Sequence, residues 1–291
     1  MKKEALFWEK KDNGSVRCTL CPRYCVIAPG HKGHCQVRGN ENGTLFSLVY
    51  GDCSAIAVDP IEKKPLRQFH PGTHVFSVST VGCNLDCKHC QNWHLSHSGL
   101  DRKMEFLSPL NLVDMAKKYN SQGIAWTYNE PTIWFEYTYD SAIIAKEQGL
   151  YTVYVTNGYI NEEPLDMIGP YLDAYCVDLK GFSDKFFREI CGIPSAEPIL
   201  KAIKRAKDKW NMHVEIVTNV IPGHNDDEEQ LKGIAEWIKA NLGADTVWEL
   251  TRFFPNYKLA NLEETPLATL QKAREIGLTA GLTNVFLGNV R

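Results

Sequence analysis

Cys83, Cys87 and Cys90 stand in the run Val81-Gly82-Cys83-Asn84-Leu85-Asp86-Cys87-Lys88-His89-Cys90-Gln91-Asn92-Trp93, a C-x3-C-x2-C spacing. A [4Fe–4S] cube has four irons, and thiolates usually hold all of them. Three thiolates this close leave one iron without a protein ligand, open to a substrate or cofactor as well as to electrons. A zinc knuckle is the plainer alternative, but zinc normally takes four ligands in pairs. A second group, Cys18, Cys21, Cys25 and Cys35, is spaced C-x2-C-x3-C-x9-C. Four thiolates there can hold a structural zinc, hold an auxiliary iron–sulfur cluster, or share a cluster with a partner protein.

The chain around these cysteines, 291 residues long, has room for one large α/β domain and a small appendage. Its 44% hydrophobic and 23% charged residues are those of an ordinary globular protein. A formal charge of −3 gives no ground for a nucleic-acid or membrane surface. No stretch approaches the roughly 20 apolar residues of a membrane span, and no secretory apolar region follows Met1-Lys2-Lys3-Glu4. A cytoplasmic protein is expected. In that reducing compartment ten cysteines read as metal ligands rather than a disulfide framework, with Cys53, Cys176 and Cys191 left as small buried apolar residues.

From residue 75 onward, short β-branched or aromatic runs alternate with amphipathic stretches, as in repeated βα units around a parallel sheet. Strands are expected at 75–80, 124–128, 152–156, 174–179, 214–218, 247–251 and 284–287. Ser108-Pro109 reads as a helix N-cap and first turn, with Leu112, Met115, Ala116 and Tyr119 on one face. Asp226 or Asp227 opens another helix, which buries Leu231, Ile234, Ala235 and Ile238 and ends at Gly243. Gly149 and Gly277 read as similar ends. The pattern predicts an open, partial (β/α)6-type barrel over 75–291. Residues 1–74 read as a cysteine-rich, metal-stapled extension with short strands at 47–50 and 54–58. Barrels of this kind bind ligands at the C-terminal ends of their strands. Cys83, Glu130, Asn157, Lys180, the loop Ile221-Pro222-Gly223-His224-Asn225-Asp226 and Arg252 each follow an expected strand by a few residues.

With the cysteine run, the segments Tyr128-Asn129-Glu130-Pro131, Val155-Thr156-Asn157-Gly158 and Val177-Asp178-Leu179-Lys180 resemble the radical S-adenosylmethionine (SAM) superfamily. The resemblance implies a [4Fe–4S] cluster on Cys83, Cys87 and Cys90 whose open iron chelates the amino and carboxylate groups of SAM. It places Asn129 and Glu130 in the turn that receives the SAM ammonium, where a carboxylate makes a charge-assisted hydrogen bond. Thr156 and Asn157 offer neutral groups to a ribose or carboxylate. Asp178-Leu179-Lys180 resembles the Asp-x-Lys strand end of glycyl-radical activating enzymes, with Lys180 as the cation for SAM oxygens. His89 stands where an aromatic residue usually stacks on adenine. Pro222 and Gly223 resemble the loop that lines the adenosine; Arg252 is expected to bind the cofactor, and Phe253 and Phe254 complete the pocket or belong to the core.

Over nearly its whole length the chain resembles the radical SAM member of the AmmeMemoRadiSam set, which lies close to the pyruvate formate-lyase activating enzymes. Segments 18–38, 57–66, 81–93, 126–132 and 217–226 carry that resemblance, with Arg252-Phe253-Phe254-Pro255 and Gly288-Asn289. Where relatives commonly show Pro-Trp-His, this chain has Val247-Trp248-Glu249, so a histidine role there is lost. The implied activity is reductive cleavage of SAM and hydrogen abstraction, fed by an electron donor such as flavodoxin or ferredoxin. The acceptor is a glycyl-radical enzyme, or a small molecule, protein or RNA modified alongside the other AmmeMemoRadiSam proteins. A non-enzymatic iron–sulfur or zinc module is the reading from a different class. It gives no reason for Glu130, Asn157 and Lys180 to ring the cysteines.

Overall fold

The computed structural model describes residues 1–97 and 99–290. The alternating β-branched runs form one sheet: β1 (Ala55–Pro60), β2 (His74–Ser79), β3 (Gly123–Trp126), β4 (Tyr151–Thr156), β5 (Ala174–Asp178), β6 (His213–Val220), β7 (Trp248–Arg252) and β8 (Val285–Gly288). They lie side by side in chain order; β2 to β8 are parallel, and β1 runs antiparallel to β2 at the edge. The sheet is therefore an open barrel. The helices that follow are α1 (Pro109–Lys118), α2 (Phe135–Glu147), α3 (Glu162–Ile168), α4 (Glu197–Asp208), α5 (Glu228–Leu242) and α6 (Leu267–Thr279). None among the described residues is long and apolar enough to cross a membrane.

Side chains alternate between the faces of each strand with a period of two. Phe76, Trp126, Tyr154, Tyr175 and Trp248 join the large core that includes the helices. Val75, Ala125, Val153, Cys176 and Val217 face the other way and pack on Ile61, Leu66 and Phe69. Residues 55–74, expected in the N-terminal extension, thus supply the sheet with an edge strand and an apolar plug. A short strand is expected at 54–58 from the sequence; only its pairing with β2 places it in the barrel.

Local signals position the helices as expected. Ser108 Oγ accepts from Asn111 N at the start of α1, and Asp227 Oδ1 accepts from Gln230 N at the start of α5, each cap worth about 1 kcal/mol. Leu231, Ile234, Ala235 and Ile238 are buried, and Gly243 ends α5 with φ +100°. On α1, Leu112, Val113 and Ala116 are buried, whereas Tyr119 is exposed at the C-cap. Gly277 does not end a helix. It lies inside α6, where a Cβ would meet the Trp248 ring at 3.0 Å, so glycine there serves close packing and Gly281 (φ +98°) ends the helix instead.

The extension is built of two three-stranded antiparallel sheets, one of Lys3–Glu4, Thr44–Ser47 and Arg38–Glu41, the other of Trp8–Lys10, Val16–Cys18 and Val26–Ile27. The strand expected at 47–50 therefore lies a few residues earlier. A buried ion pair fastens the extension to the barrel: Arg38 Nη1 donates to Glu136 Oε1 and Oε2 at 2.9 and 3.0 Å. Leu6 N donates to the same carboxylate at 2.8 Å. Glu136→Ala strands a buried guanidinium and should cost about 3–5 kcal/mol. A fall in the urea midpoint with an unchanged denaturant slope checks this.

Candidate active site

The C-terminal ends of the strands surround a cavity of about 420 Å³, onto which the Cys83, Cys87 and Cys90 side chains face from the loop after β2. Polar hydrogens meet the sulfurs. Leu85 N donates to Cys83 Sγ at 3.4 Å and Asn157 Nδ2 reaches it at 3.7 Å, while Cys90 Sγ lies 3.6 Å from Ser96 Oγ. Donors of this kind stabilise thiolates and tune a cluster they hold. Burial pushes the Cys83 and Cys90 thiols up. Cys87 moves down, because Cys191 donates to it and Lys180 lies near. Cys191 is thus a neighbour of the site as well as a buried residue. It arrives from the end of the short helical segment Phe187–Cys191 that follows β5, and nothing local in its sequence announces this.

Asn129 locks the cysteine loop to the end of β3, its Nδ2 donating to Gly82 O at 2.9 Å and its Oδ1 accepting from Thr80 N at 3.3 Å. The preceding Tyr128 holds a left-handed φ of +68°, which a bulky residue rarely adopts. Its phenol donates to Asp59 Oδ2 at 2.5 Å, and Lys64 Nζ contacts both Asp59 Oδ2 (2.6 Å) and the phenol (3.3 Å). Buried side-chain bonds therefore offset the backbone strain, and they bind the loop after β3 to the plug segment.

Glu130 lines the cavity with its carboxylate already engaged. It accepts from Thr132 N (2.9 Å), Thr156 Oγ1 (2.7 Å) and Asn157 N (2.8 Å). Burial raises its pKa, and these bonds oppose the rise. The sequence placed Glu130 against an ammonium; the structure also makes it the brace between the loops after β3 and β4. Asn157 extends the brace, Nδ2 donating to Asn84 Oδ1 at 2.9 Å and Oδ1 accepting from Tyr159 N at 2.8 Å.

Lys180 Nζ donates to Asp178 Oδ2 at 2.8 Å. Burial works against its charge, but Asp178 and the thiols of Cys87 and Cys191 outweigh it and raise the pKa. Burial pushes His89 down to about 3, so the ring is neutral near pH 7. His89 Nδ1 is buried without a partner among the described residues. Three thiols with sulfur-directed donors, a fixed cation and a flat neutral ring with an unmet polar atom fit a cluster with a charged adenosyl ligand.

Pro222, Gly223 and Arg252 do not join this cavity. Gly223 lines a separate one with His224 and Phe182, and Arg252 donates to Thr265 O (2.8 Å) and Glu264 Oε1 (2.5 Å). Phe253 is buried in the core and Phe254 is exposed. The loop after β6 and the end of β7 were placed by strand-end position alone, which does not fix the direction of a side chain. Sequence reasoning missed Lys63, Lys64, Arg67, Asn219 and Glu249, which do line the cavity. Arg67 Nε donates to Glu249 Oε2 at 2.5 Å, and Asn219 Oδ1 is buried without a partner among the described residues. The resemblance over 57–66 and 217–226 pointed near all of them but Glu249, which stands where relatives commonly show the histidine of Pro-Trp-His.

Cys18, Cys21, Cys25 and Cys35 come together on a second, smaller cavity in the extension. Gly82 joins the two regions: at φ +88°, a Cβ there would lie 2.4 Å from Cys35 O. Gly82→Ala should destabilise the fold by at least about 1–2 kcal/mol from the left-handed backbone alone. A lowered Tm measured anaerobically would show it; an unchanged Tm would mean the contact is not held in solution.

The model of one family, described as the radical SAM superfamily, matches residues 77–238. A protein of uncharacterised function from Methanocaldococcus jannaschii is 42% identical over 289 residues, covering 99% of this chain and 85% of its own. A putative glycyl-radical enzyme activating enzyme of the same organism is 26% identical over 238 residues, covering 81% of this chain and 85% of its own. Among solved structures, a radical SAM methyltransferase from Sphaerobacter thermophilus has the same fold, with TM-score 0.59 and 17% identity over 75% of this chain and 67% of that one.

Proposed function

Because the chain belongs to the radical SAM superfamily, we propose that it cleaves SAM reductively at a [4Fe–4S] cluster held by Cys83, Cys87 and Cys90. The observation that carries the proposal is the gathering of these thiols, His89, Glu130, Asn157 and Lys180 on one cavity. When bound, such a cluster supplies an electron to the sulfonium of SAM, giving methionine and a 5′-deoxyadenosyl radical.

The chain's own residues do the rest. Lys180, paired with Asp178, would offer its charge to the carboxylate or ribose oxygens of SAM, and Glu130 keeps the loops after β3 and β4 at fixed spacing. His89 offers its neutral face to the adenine. The cavity walls keep water and stray hydrogen donors from the radical.

Such a radical would take hydrogen from a substrate bound on the same cavity. Similarity to a putative glycyl-radical enzyme activating enzyme supports a glycyl-radical enzyme as the acceptor's source; a flavodoxin or ferredoxin is the kind of electron donor such a reaction would need. The polar groups Arg67, Asn219 and Glu249 on the same cavity favour a second reading. In it the radical modifies a small polar molecule, protein or RNA alongside AmmeMemoRadiSam proteins. Reconstituted protein incubated anaerobically with SAM and dithionite should form 5′-deoxyadenosine and methionine. Adding a glycyl-radical enzyme should give a glycyl EPR signal under the first reading and none under the second. Absence of 5′-deoxyadenosine from cluster-loaded protein would reject both.

A further inference from the structure

Cys18, Cys21, Cys25 and Cys35 face one cavity of about 20 Å³, with Arg38 and Asn84 in its wall. Cys21 lies within electrostatic reach of the other three, and Cys35 within reach of Cys18 and Cys25. Arg38 is the second, independent sign of a ligand. Its side chain is buried, Nη1 is paired with Glu136, and Nη2 donates to Leu6 O at 2.5 Å. Nε has no partner among the described residues, although Arg38 lies close enough to Cys18 and Cys35 to feel their charge. A buried donor left unpaired is costly, and an anionic metal–thiolate centre would give it an acceptor.

The spacing bears on which metal. Zinc centres take their cysteines in short pairs, whereas here three closely spaced thiols, Cys18, Cys21 and Cys25, are followed by a fourth, Cys35, the pattern of runs that hold a [4Fe–4S] cluster.

We propose that Cys18, Cys21, Cys25 and Cys35 hold a second [4Fe–4S] cluster, with a thiolate on every iron. Full protein ligation leaves no position for SAM or a substrate, so its chemistry is one-electron transfer. It lies against the barrel site. Gly82 lies so near Cys35 that a Cβ would meet Cys35 O, and Asn84 borders this cavity while accepting from Asn157, which also reaches Cys83 Sγ. Residues 82–84 form the wall between the two centres. The metal content of the extension does not depend on the reading of the barrel site.

Metal analysis and EPR of anaerobically purified protein test this. The wild type should hold about eight irons per chain and no stoichiometric zinc. The Cys83→Ala/Cys87→Ala/Cys90→Ala variant, with the extension intact, should keep about four irons. Its dithionite-reduced EPR signal should not change when SAM is added. Cys18→Ser/Cys35→Ser should lose the other half of the iron and keep the half whose signal responds to SAM. One zinc per chain, loss of all iron from the barrel variant, or a SAM-sensitive signal in that variant would overturn the second cluster. A wild type that holds eight irons but does not cleave SAM would leave this inference standing and remove the reading of the barrel.

Discussion

Replacing any one of Cys83, Cys87 and Cys90 by Ala should reduce 5′-deoxyadenosine formation to background. The three thiols come from one short loop and face one cavity, where they would hold three irons of the proposed cluster. A cluster with two protein ligands is not held in a defined orientation, and the open iron is then no longer fixed relative to Lys180 and His89. The loss should appear in turnover rather than in folding, because the loop is also held by Asn129 bonded to Gly82 and Thr80, and by Asn84 Nδ2 donating to Tyr159 O at 2.8 Å. Anaerobic chromatography of the products, beside circular dichroism of each variant, checks both halves. A triple Cys→Ala protein that still gave 5′-deoxyadenosine would place the chemistry elsewhere.

Lys180→Ala should weaken SAM binding by about 1.5–3 kcal/mol, roughly 10- to 150-fold, the worth of a charge-assisted hydrogen bond. The iron of the barrel site should stay in place, because Lys180 contacts the thiols only through space. Glu130→Ala should lose SAM affinity to a similar degree and, in addition, about 1–3 kcal/mol of stability. Its removal leaves Thr156 Oγ1 and the backbone N–H of Asn157 without their acceptor. Equilibrium dialysis with labelled SAM and urea titration separate the two effects. Wild-type SAM affinity in both variants would move the SAM site; normal stability of Glu130→Ala would deny the brace.

The barrel was legible in the sequence because its signals are local. β-branched runs gave seven parallel strands within a few residues, and Ser108 and Asp227 announced their helices through side chains that bond their own first turns. The cysteine triplet was legible for the same reason, since one loop holds it. Contributions assembled across the chain were not. Cys191 meets Cys87 only after β5 returns its loop to the site, and Arg67 reaches Glu249 only because residues 55–74 fold into the sheet. Gly277 looked like a helix end because nothing in a sequence shows the Trp248 ring packed against it. Arg252 shows the opposite limit: a strand end places a residue near the cavity, but Glu264 and the Thr265 carbonyl decide where its guanidinium goes.

The central claim is that an iron of the Cys83, Cys87 and Cys90 cluster takes SAM as its ligand. Electron–nuclear double resonance on the reduced protein with SAM labelled with nitrogen-15 at the methionyl amino group tests it directly. The account predicts hyperfine coupling between the cluster and that nitrogen, lost in the Cys83→Ala/Cys87→Ala/Cys90→Ala variant. SAM bound to reduced wild-type protein without such coupling would contradict it.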